Sequence, residues 1–283
     1  MINMVAVIKR KHLGLKYACL FSASLMVLTS CASKKNVDLI AQQQKIERAD
    51  IVYNEALANF RAHRFDEAAK KFAVVETQHP FSSWGKKALV MESFVNYSNN
   101  KYPEAIEAAQ RYLAQYPKDK DAAYANYLIG LSYFKQIPDI SFDQKNAQLT
   151  IVAMDNLIKN YPNSSYAADA KVKMRFAKQQ LAEKEMRVGR YYQERKNYIA
   201  ALKRYRTVVE SYSDTAVIEE ALYRLVEINY ALGLTLEART AAILLGKNYP
   251  NSLWYKNAYL LLEKGHVSMD YNKQSWLYKV FSH

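Results

Sequence analysis

The reactive side chains in this 283-residue chain are few enough to inspect one by one. Its five histidines, His12, His63, His79, His266 and His283, include no two at a spacing that would hold a metal. No HExxH, CxxC, GxSxG or phosphate-binding glycine loop is present. Glu183 and Glu185 stand two apart, which turns their carboxylates to different sides of a helix rather than toward a shared substrate. Acid–base, metal and nucleophilic catalysis therefore lack a constellation, and the chain is expected not to be an enzyme and to need no metal or diffusible cofactor. Cysteine is the exception. Only Cys19 and Cys31 occur, and Cys31 closes the tetrapeptide Leu28-Thr29-Ser30-Cys31 directly behind an apolar run. A thiol so placed suits covalent modification.

The segment before Cys31 says which modification. Lys9, Arg10, Lys11 and Lys16 make a basic start without a single acid, and the apolar run Tyr17 to Ser30 follows. That run is short of the roughly 20 residues a permanent membrane-spanning helix needs, but it suits the core of a signal peptide. An aliphatic residue, two small ones and a cysteine resemble the lipobox of bacterial lipoproteins. The resemblance implies cleavage before Cys31, an S-diacylglycerol group on its thiol and an N-acyl chain on its new amine. Each buried methylene contributes about 0.8 kcal/mol, and more than one chain makes the anchor stable. Ala32 follows where an aspartate often retains lipoproteins in the inner membrane, so the expected location is the outer membrane, facing the periplasm. Residues 1–30 are then a signal peptide and 31–46 a tether. Processing removes Cys19, leaving no disulfide in an oxidising compartment, and the loss of four cations takes the net charge from +13 to +9. A basic tethered protein suits anionic head groups or acidic partners; the export signal argues against nucleic acid.

The rest of the chain must present partners with a surface. Half of the whole 283-residue sequence is apolar, and that sequence has only seven glycines and six prolines. That is too little punctuation for an all-β fold, while helix formers abound. The hexapeptide KNYPNS occurs at Lys159–Ser164 and again at Lys247–Ser252. Both copies belong to a series of like segment ends: QHPFSS at 78–83, QYPKDK at 115–120, NYPNSS at 160–165, SYSDTA at 211–216 and NYPNSL at 248–253. Small residues Ala68, Ala105, Ala201 and Ala238 stand twelve before the terminal position of these ends, and Phe72, Ala109, Met154, Tyr205 and Ala242 stand eight before it. Gly130–Tyr133 and Gly189–Tyr192 pair a small residue with an aromatic three positions on. Ala56, Ser93 and Val226 hold the small position in the remaining repeats, with Asn59, Asn96 and Asn229 where the aromatic belongs. The pattern resembles the tetratricopeptide repeat, a pair of antiparallel helices closed by proline, which stacks because no repeat can bury its own apolar faces. In the closing turns, Asn163 and Ser164 or Asn251 and Ser252 can cap the helix that follows.

The expected fold is all-α: a solenoid of about five helix-turn-helix repeats. Repeat three carries an insertion, KQIPDISFDQKNAQ, read as an ordered loop. The stretch YAADAKVKMRFAKQQLAEKEMRVGRYY has no breaker before Gly189 and reads as one long helix joining repeats three and four. Repeats one to three then occupy 47–164. The long helix, repeats four and five and a capping helix occupy 165–265, and 266–283 is a tail that either docks on a partner or lies disordered.

In tetratricopeptide arrays, positions five, nine and twelve of the first helices face the groove. Here they are Tyr53, Leu57 and Phe60; Val90, Phe94 and Tyr97; Tyr127, Leu131 and Phe134. The six aromatics suggest a groove for an extended, aromatic-bearing peptide, with Lys86, Lys87 and Lys135 near it for a carboxylate. A register slip of one would instead make Phe60 and Tyr97 core. Repeats four and five place Met186, Arg190, Gln193, Tyr223, Glu227 and Tyr230 there, which suits a charged surface.

HPFSSW, YLIGLSYFKQIPD, NYPNSSYAADA, KEMRVGRYY and RYRTVVESYSDT, with the lipobox and the long connector, resemble the BamD family of outer-membrane protein assembly lipoproteins, especially its α-proteobacterial members. The resemblance implies a non-enzymatic scaffold in the β-barrel assembly machinery. It would bind unfolded barrel precursors through their C-terminal signals, the POTRA domains of the barrel subunit BamA, and other Bam lipoproteins. The family's BamA-facing arginine corresponds to Arg204. Ser213 departs from the family's closing proline. The rival reading is a repeat lipoprotein that organises peptidoglycan enzymes.

Overall fold

The computed structural model describes residues 47–265 and 272–281, all within one compact unit. The signal peptide, Cys31 and the tether lie outside the described residues. Every regular element among those described is an α-helix. Five repeats pair α1 (Ala49–Arg61) with α2 (Phe65–Gln78), α3 (Ser83–Ser98) with α4 (Tyr102–Gln115), α5 (Ala122–Lys135) with α6 (Lys145–Asn160), the end of α7 (Ala167–Glu194) with α8 (Tyr198–Ser211), and α9 (Ile218–Ala231) with α10 (Thr235–Asn248). The array closes with α11 (Leu253–Lys264) and a short α12 (Trp276–Phe281). From α1 to α11 consecutive helices pack on each other, α12 packs on α10 and α8, and the first helices α1, α3, α5 and α7 also touch side by side.

Two turns recur. Inside repeats one, two, four and five the chain reverses through a left-handed residue, His63, Asn100, Lys196 or Gly233, at φ of 57°, 58°, 58° and 75°. The next amide then reaches back to the carbonyl of Asn59, Asn96, Tyr192 or Asn229 at 2.8–2.9 Å, which satisfies a helix-end acceptor. Between repeats, His79, Tyr116, Tyr161, Tyr212 and Tyr249 each end a helix at φ between −131° and −136°. Each accepts from the amide three residues on, at 3.0–3.2 Å. Proline suits the second position of such a turn. Ser213 makes the same turn without it, because the Thr215 amide lies 3.1 Å from the Tyr212 carbonyl and the Thr215 hydroxyl adds a bond of 2.6 Å. The departure at Ser213 therefore leaves the repeat's end intact. Of the expected caps, Ser252 accepts from Trp254 N at 3.2 Å. Ser164 does not cap: α7 begins at Ala167 and the Ser164 hydroxyl is buried without a partner.

Packing fixes the register. Ala56, Ser93 and Val226, the small positions of the looser repeats, are fully buried. Gly130 and Gly189 lie against Met154 and Tyr205, the second-helix residues that the spacing pairs with them. The insertion is an ordered loop over 136–144, closed by bonds from Gln144 to the Asp139 carbonyl and from Asn146 to the Gln136 carbonyl, both 2.9 Å. Helix α7 runs 28 residues. Its start buries Ala167 and Ala170 against Leu131, Met154 and Leu157, and its end buries Ala182 and Met186 in the core of repeats four and five. The described part of the tail docks on the chain itself: Leu277 is fully buried, Asn272 and Ser275 donate to Glu237, and Arg206 lies 4.3 Å over the Trp276 ring. No described helix is long and apolar enough to cross a membrane.

Candidate binding surfaces

Because α1, α3, α5 and the start of α7 lie side by side, one aromatic from each meets the next. Phe60 lies 5.5 Å from Phe94, Phe94 lies 6.4 Å from Tyr124, and Tyr166 lies 5.3 Å from Tyr124 and stacks on Tyr127 at 4.9 Å. A second contact joins Phe134 to Phe176 at 5.3 Å, and Tyr97 leans on Tyr102 at 5.9 Å. Phe60, Phe94, Tyr97, Tyr127 and Phe134 are all half-buried: each packs on the repeats beneath and keeps an edge in solvent. Tyr53 is a correction. It is core, only 9% exposed, held between Phe72 at 5.2 Å and Trp84 at 4.9 Å, because the first turn of α3 closes over it. Tyr124, Tyr166 and Phe176 belong to the surface although none occupies position five, nine or twelve. The three-residue spacing of Tyr124 and Tyr127 on one helix face was the available signal for the first; Tyr166 sits in a turn, where helical periodicity says nothing.

The surface is nearly neutral. The Tyr127 hydroxyl donates to Asp169, which also accepts from Lys173 at 2.8 Å, and Lys173 lies 5.4 Å over the Phe134 ring. Burial disfavours an ionised Asp169, but the bonds from Lys173 and Tyr127 outweigh it and bring the carboxyl below its ordinary range. Burial, with Asp169 beside it, pushes the Tyr127 phenol well up, and burial takes Tyr124 to about 12. The Tyr124 and Tyr127 phenols stay neutral at physiological pH, so the ledge offers aromatic edges and the closed Asp169–Lys173 ion pair. Lys86 is engaged elsewhere, 2.5 Å from Asp119, and Lys87 lies 5.0 Å from the Trp84 ring, while Lys135 is exposed.

The last two repeats differ in kind. Arg190 makes a two-pronged pair with Glu220 at 2.8 and 2.5 Å, and Arg224 bridges Glu220 at 3.2 Å and Glu227 at 2.8 Å. Gln193 adds a bond to Glu227 at 3.1 Å, and Tyr223 packs on Trp254 at 5.2 Å. Burial raises the cost of ionising Glu220, yet the two arginines hold its carboxyl below the ordinary range. A cleft of about 260 Å³ opens beside Arg190, Gln193 and Arg224. Met186 takes no part, being fully buried. Arg204 stands on α8 and is already paired, its Nη1 3.1 Å from Glu185 on α7. The pairing is partial: the arginine side chain keeps 41% of its surface exposed, against 20% for the glutamate. Among the described residues no group of three or more His, Cys, Asp and Glu side chains is placed to hold a metal ion.

Stacked helical pairs with an aromatic ledge at one end and a network of charged residues at the other define a tetratricopeptide-type helical solenoid. Residues 46–244 match the family model YfiO, described as outer membrane lipoprotein, and the chain belongs to that family. It is 36% identical over 244 residues to the outer membrane protein assembly factor BamD of Caulobacter vibrioides, covering 85% of this chain and 79% of that protein. It is also 36% identical to that of Rickettsia prowazekii, covering 88% and 98%, and 30% identical to that of Neisseria meningitidis serogroup A, covering 83% and 91%. The two higher identities agree with the resemblance to α-proteobacterial members. Residues 245–283, which include α11 and α12, lie beyond the family match.

Proposed function

We propose that this chain serves outer membrane protein assembly as a non-catalytic scaffold, anchored by lipid on Cys31 and facing the periplasm. Family membership over most of the chain carries this reading. In it, the ledge of Phe60, Phe94, Tyr97, Tyr127 and Phe134 receives unfolded β-barrel precursors, whose aromatic side chains find ring edges there at little desolvation cost. The half bearing Arg204 docks a POTRA domain of BamA, and other Bam lipoproteins complete the complex. A scaffold for peptidoglycan enzymes would use the same anchor and repeats, but nothing in the relatives favours it.

Affinity purification of the tagged chain from solubilised membranes tests the complex. BamA is expected among the recovered proteins, and peptidoglycan enzymes without BamA would overturn the reading. The ledge is tested by crosslinking to barrel C-terminal peptides. Phe94→Ser and Tyr127→Ser should each weaken crosslinking with the helical circular dichroism unchanged, whereas Tyr53→Ser should destabilise the first repeat. Equal crosslinking by all three would remove the ledge from precursor binding.

A further inference from the structure

Arginines across the last two repeats are matched to carboxylates: Arg190 to Glu220, Arg204 to Glu185, Arg206 to Glu210, and Arg224 to Glu220 and Glu227. One face of α7 breaks that rule. Lys184, Arg187, Tyr191 and Arg195 follow each other at intervals of three and four, which aligns them along the helix. Their bonds go to neutral oxygens: Lys184 Nζ to the Phe142 carbonyl at 3.0 Å, Arg187 Nη1 to the Ser141 hydroxyl at 2.6 Å, and Arg195 Nη1 to the Tyr191 carbonyl at 3.2 Å. None of the three has a carboxylate within ion-pair distance among the described residues. The Arg187 charge reaches Asp139 of the insertion loop. Its carboxylate is taken up by the Ser141 amide at 2.8 Å and the Ser141 hydroxyl at 2.6 Å, and those bonds, with the Arg187 charge, hold it below the ordinary range.

The same face borders a cleft of about 340 Å³. The insertion loop supplies Ile140 and Ser141 to one wall, and Val188, Tyr191 and Tyr192 of α7 supply the other. The cleft has room for one bulky apolar side chain; Lys184 and Arg187 line it as well, and Arg195 stands beside it over Tyr191. Arg195 is already ordered, its guanidinium 3.6 Å above the Tyr191 ring, so less side-chain entropy is lost when it binds an anion. Phe142, 65% exposed beside Lys184, extends the apolar rim. A cleft with apolar side chains at Ile140 and Val188, beside partly ordered cations that make no ion pair among the described residues, is complementary to a chain bearing the opposite arrangement.

We propose that the cleft between the 139–143 loop and the Lys184–Arg195 face of α7 is a docking site for an acidic polypeptide segment that carries a bulky apolar side chain. The carboxylates pair with Lys184, Arg187 and Arg195, the Arg187 guanidinium offering its unused donors, and the apolar residue enters between Ile140 and Val188. A layer of anionic lipid head groups would satisfy the cations but leave the cleft unfilled, which favours the peptide. None of the residues it uses belongs to the aromatic ledge, and Arg204 is not among them, so the proposal does not rest on the reading of either.

The test uses the full chain in detergent and three fluorescein-labelled synthetic hexapeptides followed by anisotropy: Asp-Glu-Phe-Leu-Glu-Asp, its analogue with both apolar residues replaced by serine, and its analogue with all acids replaced by lysine. The first should bind at least tenfold more tightly than either analogue, and binding should weaken as salt rises. Lys184→Gln with Arg187→Gln should reduce its affinity at least tenfold, Val188→Asp should do the same, and Lys118→Gln, at an exposed lysine of the turn after α4, should leave it unchanged. Circular dichroism melts confirm that each variant is folded. Absence of binding at about 1 mM peptide, equal binding of the acidic peptide with and without its apolar pair, or undiminished binding by the double variant would each overturn the proposal. So would displacement of the peptide by phosphatidylglycerol vesicles with equal vesicle binding by Val188→Asp, which would assign the cations to a membrane surface.

Discussion

A glycine is needed where a neighbour's ring fills the place of its β-carbon. A Cβ on Gly189 would stand 2.5 Å from Tyr205 Cε1 and 2.8 Å from its Cζ. That ring cannot retreat, since Tyr205 is fully buried and its hydroxyl donates to Gln193 at 2.9 Å. Gly130 occupies the equivalent place in repeat three, but its Cβ would meet the Sδ and Cε of Met154, the movable end of a flexible side chain. The two glycines therefore differ in what replacement does. Alanine favours a helix by about 1 kcal/mol over glycine, while forced overpacking costs about 1–3 kcal/mol. Gly189→Ala should destabilise by about 1–2 kcal/mol and Gly130→Ala should be close to neutral, as read by guanidinium unfolding. Equal effects at the two sites would mean that the Tyr205 ring adapts as readily as the thioether. The same scale shows where sequence reading stopped. Tyr53 has the position of a groove residue, but its surroundings depend on Trp84, which arrives 31 residues later from the next repeat. Repeat position alone does not report that contact. Arg204 was legible as a charge on a second helix, whereas its partner Glu185 depended on how α7 and α8 face each other.

At the scale of elements, what could be read was set by punctuation. The closing turns are legible because an aromatic followed by proline stops a helix in a way few other pairs do, and Ser213 shows that the turn survives on hydrogen bonds alone. The connector is legible because nothing between Ala167 and Gly189 interrupts a helix. The docking of 272–281 was not, since that segment belongs to no repeat and rests on Leu277 and on bonds from Asn272 and Ser275 to Glu237, 35 and 38 residues back on α10. Helix α7 shares its residues between the core of repeat three and that of repeats four and five, so it should couple their unfolding. Gln180→Pro would remove one ladder bond and clash with the preceding turn, costing about 3 kcal/mol at the middle of that coupling. Tryptophan reports on the two sides separately: Trp84 lies in the N-terminal repeats, Trp254 and Trp276 in the C-terminal ones. With α7 intact, fluorescence of a chain keeping only Trp84 and of one keeping only Trp254 and Trp276 should give coincident guanidinium transitions. With Gln180→Pro the two should separate. Coincidence in the proline variant would show that the repeats are coupled by another route.

For the molecule as a whole, the decisive question is whether its surfaces act on partners or only on each other, and Arg204 allows that to be measured. An ion pair this exposed contributes about 0–1 kcal/mol, so its loss should not unfold the array. The exposed side of the guanidinium can still accept a partner's carboxylate in a two-pronged pair. If BamA reads that charge, Arg204→Glu should lower BamA recovery from solubilised membranes by about tenfold, the equivalent of 1.4 kcal/mol. Loss of recovery alone would not separate docking from a shift of α8 against α7. The double variant Glu185→Arg with Arg204→Glu does, because it rebuilds the internal pair with the opposite sense and presents a carboxylate where the partner expects a cation. Recovery should stay low in the double variant, with helicity and melting as in the wild type. If exchanging the charges restores BamA, the arginine acts within the chain and does not itself read BamA.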